Sequence, residues 1–393
     1  MTTIAIVGTG LAGVRAAETL RAEGYHDRLV MVGDEAWTPY DRPPLSKAFL
    51  LGSAERADLR LLDEDGLAAL GAEWRLGTGA AAFHARDRML RLDDGHRLTV
   101  DGLVIATGAR ARRLDVPAPP GVHTLRTLDD AIRLRADLLA GSRAVLIGGG
   151  FVGAEIASTA RRLGNDLTIV EAGRLPLLAP LGEPAASLLA RLHADNEVRV
   201  ITGRTVRSFE GRRHVRAVIL DDGRRLPADT VVVGIGAVPN VEWLDGSGVG
   251  CAGGVPTDPW GRTNVPGVVA AGDVAGPLGR RLEHWTNARD MPVTACKALL
   301  AEMRGQDVTA LPCYDPLPYV WSDQYDSRIQ LAGRPAPDDD FLLEEGAPEG
   351  AFVATYRRAG AISAVLALDS PRTFTRFRHE LRRVWAARQD SRA

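Results

Sequence analysis

The feature that most constrains this chain is a repeated one. The apolar run Ile4-Ala5-Ile6-Val7 feeds the glycine-rich turn Gly8-Thr9-Gly10-Leu11-Ala12-Gly13, and a helical pattern follows to about residue 22. The same order recurs as Ala144-Val145-Leu146-Ile147, Gly148-Gly149-Gly150-Phe151-Val152-Gly153 and a helical pattern to about residue 163. Each helix gives way to a second apolar strand that ends near an acid. Residues 29–32 precede Asp34 and Glu35, and residues 167–170 precede Glu171. Both copies therefore read as β-α-β units with G-x-G-x-x-G in the first turn and an acid about 20 residues on.

A single G-x-G-x-x-G is weak evidence, because glycine turns are common; two copies, each between a strand and a helix, are not. The first glycine makes the tight turn and the second lets the backbone approach a pyrophosphate. The third allows helix and strand to pack closely, and the helix N-terminus offers amides and a positive dipole end. The acid accepts hydrogen bonds from ribose hydroxyls. This pattern predicts two bound dinucleotides.

The rest of the chain is organised around the two units. Residues 102–109 read as a strand closed by a glycine turn, proline-rich 116–120 as a crossing between domains, and 231–239 as a matching strand and turn. Residues 267–273 form another strand ending in Gly272-Asp273, and 290–304 carry a helical pattern. From about residue 316 the texture changes to shorter strands, a Pro/Asp/Glu-rich stretch near 335–350 and an Arg-rich helix around 371–388. The expected architecture is α/β. A discontinuous first nucleotide domain comprises residues 1–110 and 236–315, a second comprises 111–235, and a small α+β domain comprises 316–393. This length is too great for one core.

Composition narrows the function classes. A net charge of -2 argues against a nucleic-acid binder. No stretch approaches the roughly 18 apolar residues of a membrane span, and the N-terminus lacks a targeting pattern. A soluble cytoplasmic enzyme is expected. The three cysteines, Cys251, Cys296 and Cys313, are far apart and form no C-x-x-C or C-x-x-x-x-C pair, which excludes a paired-thiol redox centre. The eight histidines show no metal-ligand spacing, and His284 reads as structural.

The two units differ just beyond their second strands. After the first lies Tyr40-Asp41-Arg42-Pro43-Pro44-Leu45-Ser46-Lys47, a rigid charged loop that can present Lys47 to a ring system. In the second, Glu171 at the strand end repels the 2′-phosphate of NADP and bonds the free 2′-hydroxyl of NAD. Arg174, three residues on, softens that preference, so NADH is favoured over NADPH without being fixed.

With Y-D-R-P-P-L-S-K after one dinucleotide turn and G-G-G-x-x-G-x-E in the other, the sequence resembles oxygenase-coupled NADH-dependent ferredoxin reductases. These are the putidaredoxin, rubredoxin and biphenyl-dioxygenase reductase group of the FAD-dependent pyridine nucleotide-disulfide oxidoreductases, with a glutathione-reductase-like fold. The resemblance continues through Ala106-Thr107-Gly108, Leu125-Arg126-Thr127, residues 231–240, Ala271-Gly272-Asp273, residues 283–288 and Trp321-Ser322-Asp323-Gln324, and fades after about residue 334. It implies FAD contacts from Gly8, Gly10, Ala12, Gly13, Asp34, Glu35, Arg42, Lys47, Ala80, Thr107, Gly108, Arg126, Asp273 and Trp285. For NADH it implies Gly148, Gly150, Val152, Gly153, Glu155, Glu171 and Gly236, with Glu155 facing the nicotinamide carboxamide. The helix that starts near Trp285 would point its amides at the flavin, where Lys47 also stabilises the charge of the reduced ring. Trp321 would sit beside the flavin where it meets an iron-sulfur partner. Outside that frame Asp273 is a helix cap, Glu155 a first-turn acid and Trp321 a core residue.

The chemistry this implies belongs to the cofactors: hydride from NADH to FAD, then single electrons to a ferredoxin, expected to carry a two-iron, two-sulfur cluster, that serves an oxygenase. The chain is expected as a monomer or homodimer. A flavin disulfide or peroxide reductase is disfavoured, because no cysteine precedes Cys251. A nucleotide-sensing flavoprotein of the apoptosis-inducing-factor type is the alternative. The cluster of Arg372, Arg376, Arg378, Arg382 and Arg383 suits either a solvated helix face or an acidic partner.

Overall fold

The computed structural model describes residues 1–138, 141–277 and 281–390. It divides into two compact units, Met1–Asp41 with Arg56–Arg110 and Ala237–Pro316, and Arg42–Glu55 with Ala111–Gly236 and Leu317–Ala393.

The first unit is built on a five-stranded parallel sheet, in the order Val268–Ala270, Gly102–Ile105, Thr3–Val7, Arg28–Gly33 and Glu73–Leu76. The strands inside its edge at Glu73–Leu76 are largely apolar runs because both of their faces are covered, as parallel sheets require. Ile4, Ala5, Ile6, Val30 and Val104 are fully buried in one core with residues from the helices Leu11–Ala22 and Trp285–Met303. A three-stranded antiparallel excursion, Ala80–His84, Met89–Leu92 and Arg97–Thr99, interrupts the unit.

The second unit repeats this plan. Its parallel sheet runs Arg199–Thr202, Asp166–Glu171, Arg143–Ile147, Thr230–Val233 and Val122–His123, with the excursion Val206–Glu210, Ala217–Leu220 and Arg225–Pro227. In both sheets the strand that enters the glycine turn is central, which puts the turn at a switch point of strand order. The repeated excursion was not legible from composition, since its strands are short and partly exposed.

Beyond residue 316 the structure corrects the expectation of shorter strands. The strands Tyr319–Gln324, Ser327–Gly333, Asp340–Gly346, Phe352–Arg358 and Ala361–Leu368 are six to eight residues long and form one antiparallel sheet. Residues 335–350, the Pro/Asp/Glu-rich stretch, contain one of its two edge strands, Asp340–Gly346. The sheet's central strands Phe352–Arg358 and Ala361–Leu368 are buried on both faces. Ala364, Leu366 and Leu368 join the core of the helices Phe151–Arg162 and Glu183–Asp195, while Val365 and Ala367 meet Phe374 and Leu381 of the terminal helix Pro371–Asp390. The loop carrying Lys47 also belongs here: Leu50 is fully buried in the same core, and Phe49 lies under the Arg135 guanidinium at 5.5 Å.

Candidate functional site

The glycine turn of the first unit is shaped by a close approach of backbone. Gly8 has φ +116°, and a Cβ there would lie 2.1 Å from the carbonyl oxygen of Ala106. A Cβ at Gly13 would lie 1.8 Å from the carbonyl oxygen of Gly8, so the helix packs onto the strand only because that side chain is absent. At Gly10, by contrast, no atom lies within 4 Å of the Cβ position, and no side chain caps the helix Leu11–Ala22. Free amides at the end of a helix, facing open space at a glycine, form a cradle that fits a pyrophosphate.

The surrounding turns face the same cradle. The Thr107 hydroxyl donates to the Asn240 carbonyl at 2.7 Å, and the Asn240 amide donates back to the Thr107 carbonyl at 2.9 Å, which pins the turn Ala106-Thr107-Gly108. Gly272, at φ +77°, lets the turn carrying Asp273 press on Ala12, whose Cβ would be 2.8 Å from a Cβ added there. Asp34 lies exposed just past the second strand, Glu35 accepts the Tyr40 hydroxyl, and Ala80 opens its own strand. Trp285 opens its helix with its indole N–H donated to Asp41 at 2.8 Å, so Asp41 of the Y-D-R-P-P motif gains a role that its sequence context does not reveal.

In the second unit Gly148, at φ +100°, approaches the Gly234 carbonyl at 2.3 Å from its Cβ position, and Gly153 approaches Gly148 in the same way at 2.4 Å. Gly150 again faces open space, and the helix Phe151–Arg162 again has no side-chain cap, so this cradle too fits a pyrophosphate. Val152 is 51% exposed on the first helical turn, and Gly236, at φ +101°, has no atom within 4 Å of its Cβ position.

The strand-end acids, which look equivalent in sequence, are not equivalent in space. Gly8 donates its N–H to Val32 and Gly148 donates to Val170, which aligns Glu171 with Gly33 rather than with Asp34 or Glu35. A side chain at Gly33 would collide with the Thr9 hydroxyl at 2.2 Å. The second unit has glycine, Gly149, where the first has Thr9, and Glu171 fills the room. Its carboxylate accepts the N–H of Gly149 and the N–H of Gly173, each at 2.7 Å.

Lys47 and Glu155 form the chemically richest cluster of this unit. The Lys47 ammonium lies 2.8 Å from Glu155 Oε2, with side-chain exposures of 21% and 6%. The same carboxylate accepts the Ser46 hydroxyl at 2.6 Å and, on Oε1, the Ser322 hydroxyl at 2.8 Å. Gln324 donates in turn to Ser322 at 3.2 Å. A buried charge is tolerable only when paired and hydrogen-bonded, and here every partner is supplied. Ser46 and Ser322 each lie inside a recognisable motif, but no signal in the sequence ties either to Glu155.

Arg42 and Arg126, separated by 84 positions, are joined by an Nη1 hydrogen bond to the Arg126 carbonyl at 2.6 Å. Trp321 lies on the strand Tyr319–Gln324 with its ring stacked on Tyr319, centroids 6.0 Å apart. Strand alternation places Trp321 on the face opposite Ser322. All three cysteines are free; Cys296 is fully buried, and burial pushes its thiol well above the usual range.

Residues 2–291 match the model of the pyridine nucleotide-disulphide oxidoreductases, and residues 319–391 that of the reductase C-terminal domain. The chain is 37% identical over 378 residues to the benzene 1,2-dioxygenase system ferredoxin–NAD(+) reductase subunit of Pseudomonas putida, covering 94% of this chain and 90% of that one. It is 38% identical to the biphenyl dioxygenase system ferredoxin–NAD(+) reductase component of Paraburkholderia xenovorans strain LB400, covering 95% and 91%. Among solved structures it resembles the covalent putidaredoxin reductase–putidaredoxin complex, with a TM-score of 0.90, 32% identity and coverage of 97% of this chain and 93% of that one.

Proposed function

The chain belongs to the pyridine nucleotide-disulphide oxidoreductase family, and from that premise we propose that it is an FAD-dependent reductase passing electrons from NADH to the ferredoxin of an oxygenase system. It is a flavoprotein oxidoreductase whose partner is an iron-sulfur protein. The observation that carries this reading is the pair of matched, open glycine cradles in a chain whose three cysteines are all free. When bound, FAD supplies the switch from two-electron uptake from NADH to one-electron release.

The chain's own part is binding, orientation and charge. The cradle of Gly8, Gly10, Ala12 and Gly13 takes the FAD pyrophosphate, with Asp34 and Glu35 toward the ribose and Thr107, Gly108 and Asp273 holding the chain between ribose and ring. Ala80, Arg42, Arg126 and Trp285 complete the proposed FAD set. The cradle of Gly148, Gly150, Val152 and Gly153 takes NADH, with Glu171 toward the adenosine ribose and Gly236 leaving room for the nicotinamide. Lys47 and Glu155 are the charged pair assigned to the reacting rings: the ammonium stabilises negative charge and the carboxylate orients the carboxamide. Trp321 is assigned to the acceptor side. Residues 1–110 with 236–315, 111–235 and 316–393 serve in this reading as FAD, NADH and interface domains. No helix among the described residues is long and apolar enough to cross a membrane. We place the protein in the cytoplasm.

Anaerobic stopped-flow reduction of the holoprotein by NADH, and separately by NADPH, tests the reading when followed by mixing with a two-iron, two-sulfur ferredoxin. Fast flavin bleaching by NADH and cluster reduction at a catalytic rate are expected. Slow bleaching with a persistent long-wavelength band, and no transfer to any ferredoxin, would favour a nucleotide-sensing flavoprotein.

A further inference from the structure

Discrimination against a 2′-phosphate usually rests on the acid at the strand end, and an arginine close by usually reverses it. This chain has both, Glu171 and, three residues later, Arg174. In the structure that arginine is already occupied. Its two terminal nitrogens meet the two carboxylate oxygens of Glu183 at 2.6 and 2.7 Å, in the parallel fork that arginine otherwise offers to a phosphate. Arg204, whose backbone N–H meets the Glu171 carbonyl at 3.3 Å, lies 2.7 Å from Asp222, a carboxylate that Arg224 also approaches at 2.7 Å. Arg174 and Arg204 are each therefore placed against an acid from a neighbouring segment.

We propose that Glu183 is a specificity-determining residue, which keeps the nucleotide site selective for a free 2′-hydroxyl by holding Arg174 away from a 2′-phosphate. Glu183 acts through Arg174 and is a positioning residue. It is also the first residue of the helix Glu183–Asp195, where an acid is favoured by the helix dipole alone. The bidentate pairing with Arg174 is what the dipole does not explain. The pair is more than half exposed on both sides, 62% and 54%, so a competing phosphate can reach it and the lock is of moderate strength. Glu171, with both oxygens committed to backbone N–H groups, supplies the fixed negative charge, and Glu183 governs the positive charge of Arg174.

The inference rests on the assignment of NADH to the second cradle, and the test separates the two. Binding of 5′-ADP and of 2′,5′-ADP to the holoprotein is measured by titration calorimetry for the wild type, Glu183→Gln, Arg174→Ala and the double variant. The expected result is a clear wild-type preference for 5′-ADP, narrowed about five- to ten-fold by Glu183→Gln, equivalent to about 1–1.4 kcal/mol. Arg174→Ala alone should move the ratio little, because that guanidinium is already engaged. The double variant should restore the wild-type preference, because the released arginine is the agent. If Glu183→Gln narrows the ratio equally with Arg174 absent, removal of a negative charge is sufficient and the inference is overturned. A Glu183→Gln ratio equal to wild type also overturns it. Should 5′-ADP fail to bind at all, the nucleotide assignment itself falls.

Discussion

Replacement of Ser322 by alanine isolates the buried network on which Lys47 and Glu155 depend. Ser322 is fully buried and Glu155 is 5% exposed, so an acceptor left open there is not rescued by bulk water. The change removes a single oxygen, far less than the roughly 30 Å³ share of a water molecule, so solvent does not fill the gap. Glu155 Oε1 loses its 2.8 Å donor, and Gln324 loses its acceptor at 3.2 Å. A hydrogen bond to a charged group contributes about 1.5–3 kcal/mol, and the neutral Gln324 bond about 1 kcal/mol, with incomplete additivity. Ser322→Ala should therefore cost about 2–3 kcal/mol of local stability. Native-state hydrogen exchange across the helix Phe151–Arg162 and the strand Tyr319–Gln324 measures it without assuming two-state unfolding of the whole chain. In a Glu155→Gln background the carboxylate charge is gone, and the same substitution should cost only about 1 kcal/mol. Flavin reduction by NADH should slow about tenfold, equivalent to about 1.4 kcal/mol of lost orientation, while dithionite reduction keeps its rate. A cost below about 0.5 kcal/mol, or an equal cost in both backgrounds, would refute the claim that Ser322 holds a charged Glu155.

The geometry sets three further outcomes. Gly10→Ala, into space with no atom within 4 Å, should leave the apoprotein folded but weaken FAD binding, whereas Gly13→Ala, with a Cβ 1.8 Å from the Gly8 carbonyl, should lower apoprotein stability as well; unfolding curves with and without FAD distinguish the two. Glu171→Ala removes an acceptor from two backbone N–H groups and should lower kcat/KM for NADH by about 10–100-fold, the value of about 1.5–3 kcal/mol, with dithionite reduction again as the control. His193 is buried against the Tyr325 hydroxyl at 2.7 Å, and burial pushes it down from 6.5 to about 4. Its folded form stays neutral while the unfolded chain takes up a proton, so stability is full above pH 6.5 and falls as pH drops toward about 4. The loss is up to about 3 kcal/mol, and a His193→Gln variant should flatten that part of the stability–pH curve. An unaltered slope would show that His193 is not its source.

The sequence by itself determined the two dinucleotide units, their order along the chain and the family to which they belong. The reason is steric and local: a backbone that passes within contact distance of Ala106 or Gly234 admits only glycine at Gly8 or Gly148, so the constraint is written in the residues themselves. The buried strands were legible for a similar reason, since a parallel sheet covered on both faces must be apolar throughout. Tertiary structure decided what local patterns do not encode. Glu171 and the Asp34-Glu35 pair look alike at the ends of their strands, yet pairing of Gly8 with Val32 and Gly148 with Val170 sets Glu171 opposite Gly33. Ser322 meets Glu155 across 167 positions of chain, and the charge of Arg174 is neutralised by a helix that begins nine residues later. Hydrogen bonds of this kind depend on where the fold brings two polar groups together. A serine or glutamate carries no mark of its partner until the chain has closed around it.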